Sequence, residues 1–352
     1  MWRLRWLTLS LMPAMKKPPS MTDLATEAML GVTQRATLDD HDASSPTKTV
    51  AKKQPAKARP LPSLLVLILA FTAVVVLLVK LLAGEASVAA LVADVASFRR
   101  APWSAQDNAA AAVAVALSLL PLLVLDAVVC ARLSDPSARW FLLHALGNLV
   151  VAVLAAPDFA YLFRNPPAGL SVAHCRTLPA LGCSDWPTCL IIGMHVYHML
   201  AFKLNSGDLF HHLLFVPVIG GIHFVYPWGA SGNILCFFIS GLPGGIDYLM
   251  LTAVKCGRMA PIVEKRINCS INTWLRGPGI VAFSTVCIMC WAKPYPGTPP
   301  EDVMPTVPFL MCGAITFFNA NYYAQRVIGD YYIRKAQDHA KRGVDRVELH
   351  TS

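Results

Sequence analysis

Long apolar runs alternate along this chain with short polar connectors, and the runs have the length of a membrane crossing. A transmembrane helix needs roughly 17–25 predominantly apolar residues. Segments of about that length fall at approximately 61–82, 109–130, 140–156, 187–203, 210–227, 232–253, 277–293 and 305–325. Leu64–Val79 is the cleanest, almost all Leu, Val, Ala and Phe. The fourth and fifth runs are separated only by Asn205-Ser206-Gly207, a turn-forming cluster, which predicts a helical hairpin. The expected fold is therefore all-α: a polytopic transmembrane helical bundle of about eight spans. The expected organisation is a disordered basic segment over 1–60, an extra transmembrane helix over 61–83, a main transmembrane domain over 109–335 and a polar tail over 336–352.

Composition agrees with this pattern. The 352 residues are 55% hydrophobic and only 14% charged, with a mean hydropathy of +0.50. Soluble domains carry about 25% charged residues. The net charge of +9 then needs no nucleic acid partner, because much of it sits in Lys48–Arg59 and beyond Arg334. Basic runs beside spans set topology and touch anionic headgroups. Residues 31–60 mix Thr, Asp, Lys, Ala and Pro without a periodic apolar face. Met1–Met15 is apolar with Arg3 and Arg5 but too short to span; it reads as a weak targeting segment, or as sequence upstream of a start at Met21.

Lys and Arg also predict orientation. The N-terminal segment, the 131–139 loop with Arg132 and Arg139, the 254–276 loop with Lys255, Arg258, Lys265, Arg266 and Arg276, and the C-terminal tail are all basic. With eight spans they share one side, the cytosolic one, so both termini are expected in the cytosol. The sequon Asn268-Cys269-Ser270 falls there and is expected to carry no glycan. Cys175 and Cys183 fall in a polar loop on the opposite side, where a disulfide between them is allowed. Most of the ten Cys lie inside apolar runs, and they show no Cys/His zinc spacing.

Six of the ten His lie in or beside apolar runs, where titratable groups are costly. Depth along each span places Asp126, His144, Asn148, His195, His198, Asp208, His211, His212, Asp247, Asn319, Asn321, Tyr322 and Tyr323 near the cytosolic ends of several spans. Such a layer predicts a wet or ligand-lined cavity open to the cytosol; the plainer reading is that span boundaries are simply more polar. Asp208 stands three and four residues before His211 and His212, so both imidazoles lie one turn from a carboxylate. A carboxylate orients a His and raises its basicity, which suits a general base; the alternative is hydrogen-bonded glue between helices. For His223, three turns beyond His212, and for His144, the structural role is the stronger expectation. His195-Val-Tyr-His198 adds an i, i+3 pair, but the chain lacks the repeated HxxxH and HxxHH boxes of membrane di-iron oxygenases, and no metal is expected. In the sixth run Ser240-Gly241-Leu242-Pro243-Gly244-Gly245 predicts a kinked or opened helix, close helix packing, or both.

The acid followed by His211-His212, then Gly232, then Asp247, Leu249 or Leu251, and Lys255, resembles the TLC domain family. That family includes ceramide synthases and other lipid-handling membrane proteins. The matched motifs lie within about 205–255, and the resemblance extends over about 109–335. It implies a membrane lipid as ligand, an internal membrane such as the endoplasmic reticulum, and acyl-CoA as co-substrate if the protein is an N-acyltransferase acting on a lipid or long-chain base. In that case His211 or His212 is the base or acyl acceptor, Asp208 orients it and Asp247 binds the acceptor. His195, His198, Asn319 and Asn321 are expected to contact substrate. The acid here is Asp three before the first His, where the ceramide synthase pattern has Glu four before, and Ser-Gly-Leu-Pro-Gly-Gly replaces its later His-Asp. The competing expectations are a non-enzymatic lipid sensor or carrier, and a small-solute or proton-coupled transporter; no inverted repeat is visible for the last. A homo-oligomer is left open.

Overall fold

A computed structural model describes residues 60–83, 105–133, 135–164, 184–204, 206–222, 229–292 and 306–351. These all belong to the unit Pro55–Ser352, and every regular element among them is helical. Calls on residues 1–59, on His223 and on the Cys175/Cys183 pair lie outside them. In chain order the helices are α1 (Leu61–Ala83), α2 (Ala105–Val128), α3 (Arg139–Arg164), α4 (Trp186–Ala201), α5 (Ser206–Phe215), α6 (Gly229–Cys236), α7 (Leu242–Lys255), α8 (Pro261–Ile271), α9 (Gly277–Ala292) and α10 (Thr306–Thr351). Three π-helical turns interrupt or extend them: Val216–Gly221 after α5, Phe237–Gly241 between α6 and α7, and Asn272–Arg276 between α8 and α9.

Among the described residues four segments are long and apolar enough to cross a membrane: Leu61–Lys80, Asn108–Arg132, Pro136–Leu162 and Ala230–Lys255. The remaining apolar runs form shorter helices or mixed ones. α4 and α9 have 16 residues each, a rise of about 24 Å at 1.5 Å per residue, against a hydrocarbon core of about 30 Å. α4 stops where Phe202 turns extended, at φ −126° and ψ 158°. α10 is apolar only until Asn319, and it then runs on through 335 to Thr351, so no helix break separates the expected tail from the bundle. Two differences from the sequence reading have local causes. α3 continues past Pro157 to Arg164, beyond the expected end near 156, as prolines are tolerated inside apolar helices of a bundle. The segment 254–276, expected as a loop, contains α8 and a π turn, started by Pro261 at the first helical position.

In hydrocarbon there is little hydrophobic drive between helices, so close approach and polar bonds hold a bundle together. Both devices are present. α2 offers the buried run Ala109, Ala110, Ala111, Val113, Ala114 and Ala116 to α1 and α4. Gly193 of α4 sits directly on Ser118 of α2, with no space for a Cβ. Opposite, Gly241 and Gly245 bring the start of α7 onto α3: a Cβ at Gly241 would lie 3.3 Å from the Ala152 backbone, and one at Gly245 would lie 2.8 Å from Leu149. The Gly/Pro run therefore does both things expected of it, opening the helix at Phe237–Gly241 and packing it tightly just beyond. The outward face of α1 is apolar, with Val66, Leu69, Val74, Leu77 and Leu78 exposed.

Polar bonds seal the end of the bundle where α2 meets α3. Asp126, fully buried, accepts from Arg139 Nε and Nη2 at 2.5 Å each and from Tyr197 Oη at 2.6 Å. Arg139, read from sequence as a loop charge, is thus neutralised inside the bundle, and Asp126 is locked in an ion pair rather than placed in the cavity layer. In the connector before α3, Asp135 accepts from the Ser137 amide at 2.8 Å, and that bond holds its carboxyl below the usual range.

Candidate functional site

A cavity of about 720 Å³ lies among α3, α4, α5, α6, α7, α8 and α10. The structure brings His195, His198, Asp208, His211, His212, Asp247 and Asn319 to its wall. Asn321 is not there: it is exposed and donates to Phe317 O at 2.9 Å. His144 and Asn148 of α3 are there, and so are Trp140, Tyr248, Asn268, Asn272, Arg276 and Tyr323. All three π turns reach the wall, through Val216, Ile219 and Gly220, through Ile239 and Ser240, and through Asn272 and Arg276. Extra residues of this kind cluster at functional sites because they re-aim side chains and free carbonyls.

The hairpin of α4 and α5 pairs the four histidines across its two legs. His195 Nε2 lies 3.0 Å from His211 Nε2, and His198 Nδ1 lies 3.1 Å from His212 Nε2. The direction of the first chain follows from its ends. Ile191 O can only accept, so His195 Nδ1, 2.7 Å away, carries the proton. A neutral His195 then accepts at Nε2, so His211 donates from Nε2 and accepts at Nδ1. The Tyr323 hydroxyl, 3.3 Å from that Nδ1, donates to it. The result is a one-way relay from Tyr323 through His211 and His195 to the backbone of α4.

The second pair has no such anchor. His198 stacks on Trp140 at 3.8 Å between ring centroids, and His212 Nδ1 is buried without a partner. If His198 donates, His212 shows the cavity an N–H; if His212 donates, it shows a lone pair. Asp208, four residues earlier on the same helix, lines the cavity beside it. Direct ring-to-ring bonds use up nitrogens that a metal would need, and among the described residues no group of three or more His, Cys, Asp or Glu is arranged to hold a metal ion.

A second network forms the opposite wall. Asp247 Oδ1 accepts from Asn268 Nδ2 at 2.7 Å, and the same amide reaches Glu264 Oε1 at 3.3 Å. Asn272 Nδ2 donates to Asn268 Oδ1 at 2.7 Å. Lys265 bridges Glu264 at 3.5 Å and Asp330 of α10 at 3.2 Å. Arg276 donates from Nε and Nη2 to Ile239 O, both at 3.3 Å, so the opened turn before α7 supplies the carbonyl that seats it. Sequence reasoning named Asp247 but missed the α8 side of this wall. Its signal is a four-residue spacing, Glu264, Asn268, Asn272 and Arg276, which keeps polar groups on one helix face through the π turn. The burial of Asn268, at 3% exposure, also puts the sequon's acceptor amide out of reach.

Four buried polar atoms of the cavity residues have no hydrogen-bond partner: His144 Nδ1, Asn148 Nδ2, His212 Nδ1 and Asn319 Oδ1. Their residues are between 1% and 7% exposed. A buried group left unmade costs about 1–3 kcal/mol, so four around one cavity mark a place for polar guest atoms, water or ligand. Among the described residues fold and site together define an all-helical bundle with four helices able to cross a membrane and a histidine-rich cavity inside it. No protein-family model, no curated protein and no solved structure matches the chain.

Proposed function

We propose that this is a multi-pass integral membrane protein, of about eight spans and of the TLC-like lipid-handling kind, whose cavity holds the polar end of a membrane lipid. Both termini and the cavity mouth face the cytosol, and the host membrane is an internal one such as the endoplasmic reticulum. The observation that carries the reading is the convergence of four unpartnered buried polar atoms on one cavity, in a bundle whose outer faces are apolar. A lipid headgroup satisfies the polar atoms while its chains lie along the helices.

Acyl transfer is the specific activity that the histidines favour. His212, with a free buried Nδ1, is the better base, because both ring nitrogens of His211 are engaged in the relay. Asp208, one turn from His212, is its neighbouring carboxylate, Asp247 receives the acceptor, and acyl-CoA is the donor. A purely lipid-binding role uses the same cavity without the chemistry. Native mass spectrometry of the purified protein beside a His211→Ala/His212→Ala variant tests the shared claim. The wild type is expected to retain a lipid that the variant loses at least tenfold. Two folded proteins that both emerge free of lipid would contradict the reading, and acyl-transfer assays follow only from the first result.

A further inference from the structure

Among the described residues Arg276 is the one lining Lys or Arg that is neither in an ion pair nor exposed. The wall carries three acids, Asp208, Asp247 and Asp330, and three bases, Lys265, Arg276 and Arg326, so its formal charge is balanced. Lys265 is bridged to Asp330 and Glu264. Arg326 is exposed and donates to the Tyr322 hydroxyl at 3.2 Å. Arg276 forms no ion pair among the described residues. Asp247, a carboxylate of the same wall, is held by Asn268 instead.

The guanidinium is nonetheless seated with care. Nε and Nη2 share the Ile239 carbonyl, and the Tyr323 ring lies 5.6 Å beneath the guanidinium carbon. That carbonyl occupies two of the five N–H donors and leaves three. A planar fork held in place with donors to spare matches two oxygens of one anion. One residue along the same π turn, Ser240 Oγ donates to Asn148 Oδ1 at 2.7 Å. That bond sets the Asn148 amide with its buried Nδ2 unpartnered over Gly244, where a Cβ would lie 2.7 Å away. The opened turn Phe237–Gly241 thus anchors a cationic fork and a neutral amide donor on adjacent residues, both on the cavity wall.

We propose that Arg276, with Asn148 held from the next residue of the same turn, is an oxyanion-binding subsite that receives the phosphate or carboxylate of the cavity ligand. This deepens the lipid-handling reading and rests on it for the source of the anion: the ligand is an anionic amphiphile. A neutral lipid would leave three N–H donors of the fork unanswered, with only the through-space charge of Asp247 to offset it, in a low-dielectric wall where such a charge is costly.

The test uses the full-length protein in neutral detergent, titrated with dioleoyl-phosphatidate, oleate and dioleoylglycerol and followed by native mass spectrometry, with inorganic phosphate as competitor and as a thermal-shift ligand. The wild type is expected to take the two anionic lipids about tenfold or more better than dioleoylglycerol, the scale of a charge-assisted hydrogen bond. Arg276→Gln keeps a donor for Ile239 O and is expected to bind all three equally, with its melting transition retained. Arg276→Lys, a point charge in place of a fork, is expected to keep only part of the preference, and it serves if the Gln variant does not fold. Equal binding of all three by the wild type, or an anion preference unchanged in Arg276→Gln, overturns the subsite while leaving lipid binding intact. Binding of inorganic phosphate without any lipid keeps the subsite and removes the lipid source. Absence of both removes the two together.

Discussion

Asp126→Ala is expected to destabilise the bundle by about 3–5 kcal/mol, the cost of leaving a buried charge without its partner. The stranded group is Arg139, which lies at the entry to α3 with its side chain only 10% exposed and its fork on both carboxylate oxygens. Tyr197, buried in the core beside Leu119 and Leu143, loses its acceptor at the same time. Equilibrium unfolding in mixed micelles reads this directly. The triple variant Asp126→Leu/Arg139→Leu/Tyr197→Phe removes all three polar ends and should recover most of the loss, because a buried ion pair is costly mainly when broken on one side. A loss for Asp126→Ala below about 1 kcal/mol, the range of exposed pairs, would mean that water reaches the pair.

Asn268→Asp is expected to cost a comparable amount, about 3–5 kcal/mol, through the opposite fault. The wild-type amide donates to Asp247 at 2.7 Å and to Glu264 at 3.3 Å, and Glu264 is 1% exposed. The substitution replaces their shared donor with a third carboxylate. Only Lys265 is bridged to Glu264, at 3.5 Å, and it also serves Asp330. Repulsion raises the pKa of the new carboxyl above its unfolded value, so the penalty grows as pH rises from the ordinary carboxylate range toward and past neutrality and fades as pH falls back to that range. The gap between variant and wild type should therefore narrow on acidification. A gap independent of pH would show that the lost hydrogen bonds alone account for it.

These two sites show how far the residues could be read without a structure. α1 was legible almost to the residue, since an unbroken apolar run after Pro60 has one outcome. The approach of α4 and α5 was legible from the Asn/Ser/Gly turn, but the pairing of His195 with His211 and of His198 with His212 was not, because two adjacent histidines on α5 can face either leg until rotation is known. The 254–276 segment was the largest miss. Its Lys and Arg count resembled a loop, yet Glu264 is buried and Asn268, Asn272 and Arg276 line a cavity. In an apolar bundle with a wet centre the usual inside-out rule is reversed, and polar periodicity becomes the signal. Arg139 misled for a related reason, because a charge beside a span sets topology only when it remains in water.

The central claim is that a lipid occupies the cavity, and a photoactivatable, clickable phospholipid added to the protein in its native membrane tests it most directly. After illumination, the labelled peptides identify the site by mass spectrometry. The account predicts crosslinks on peptides carrying His211 and His212, and on those carrying Asn319 and Tyr323, with competition by unlabelled lipid. Crosslinks confined to outward apolar faces such as Val66 and Leu69 of α1, and not competed, would contradict it.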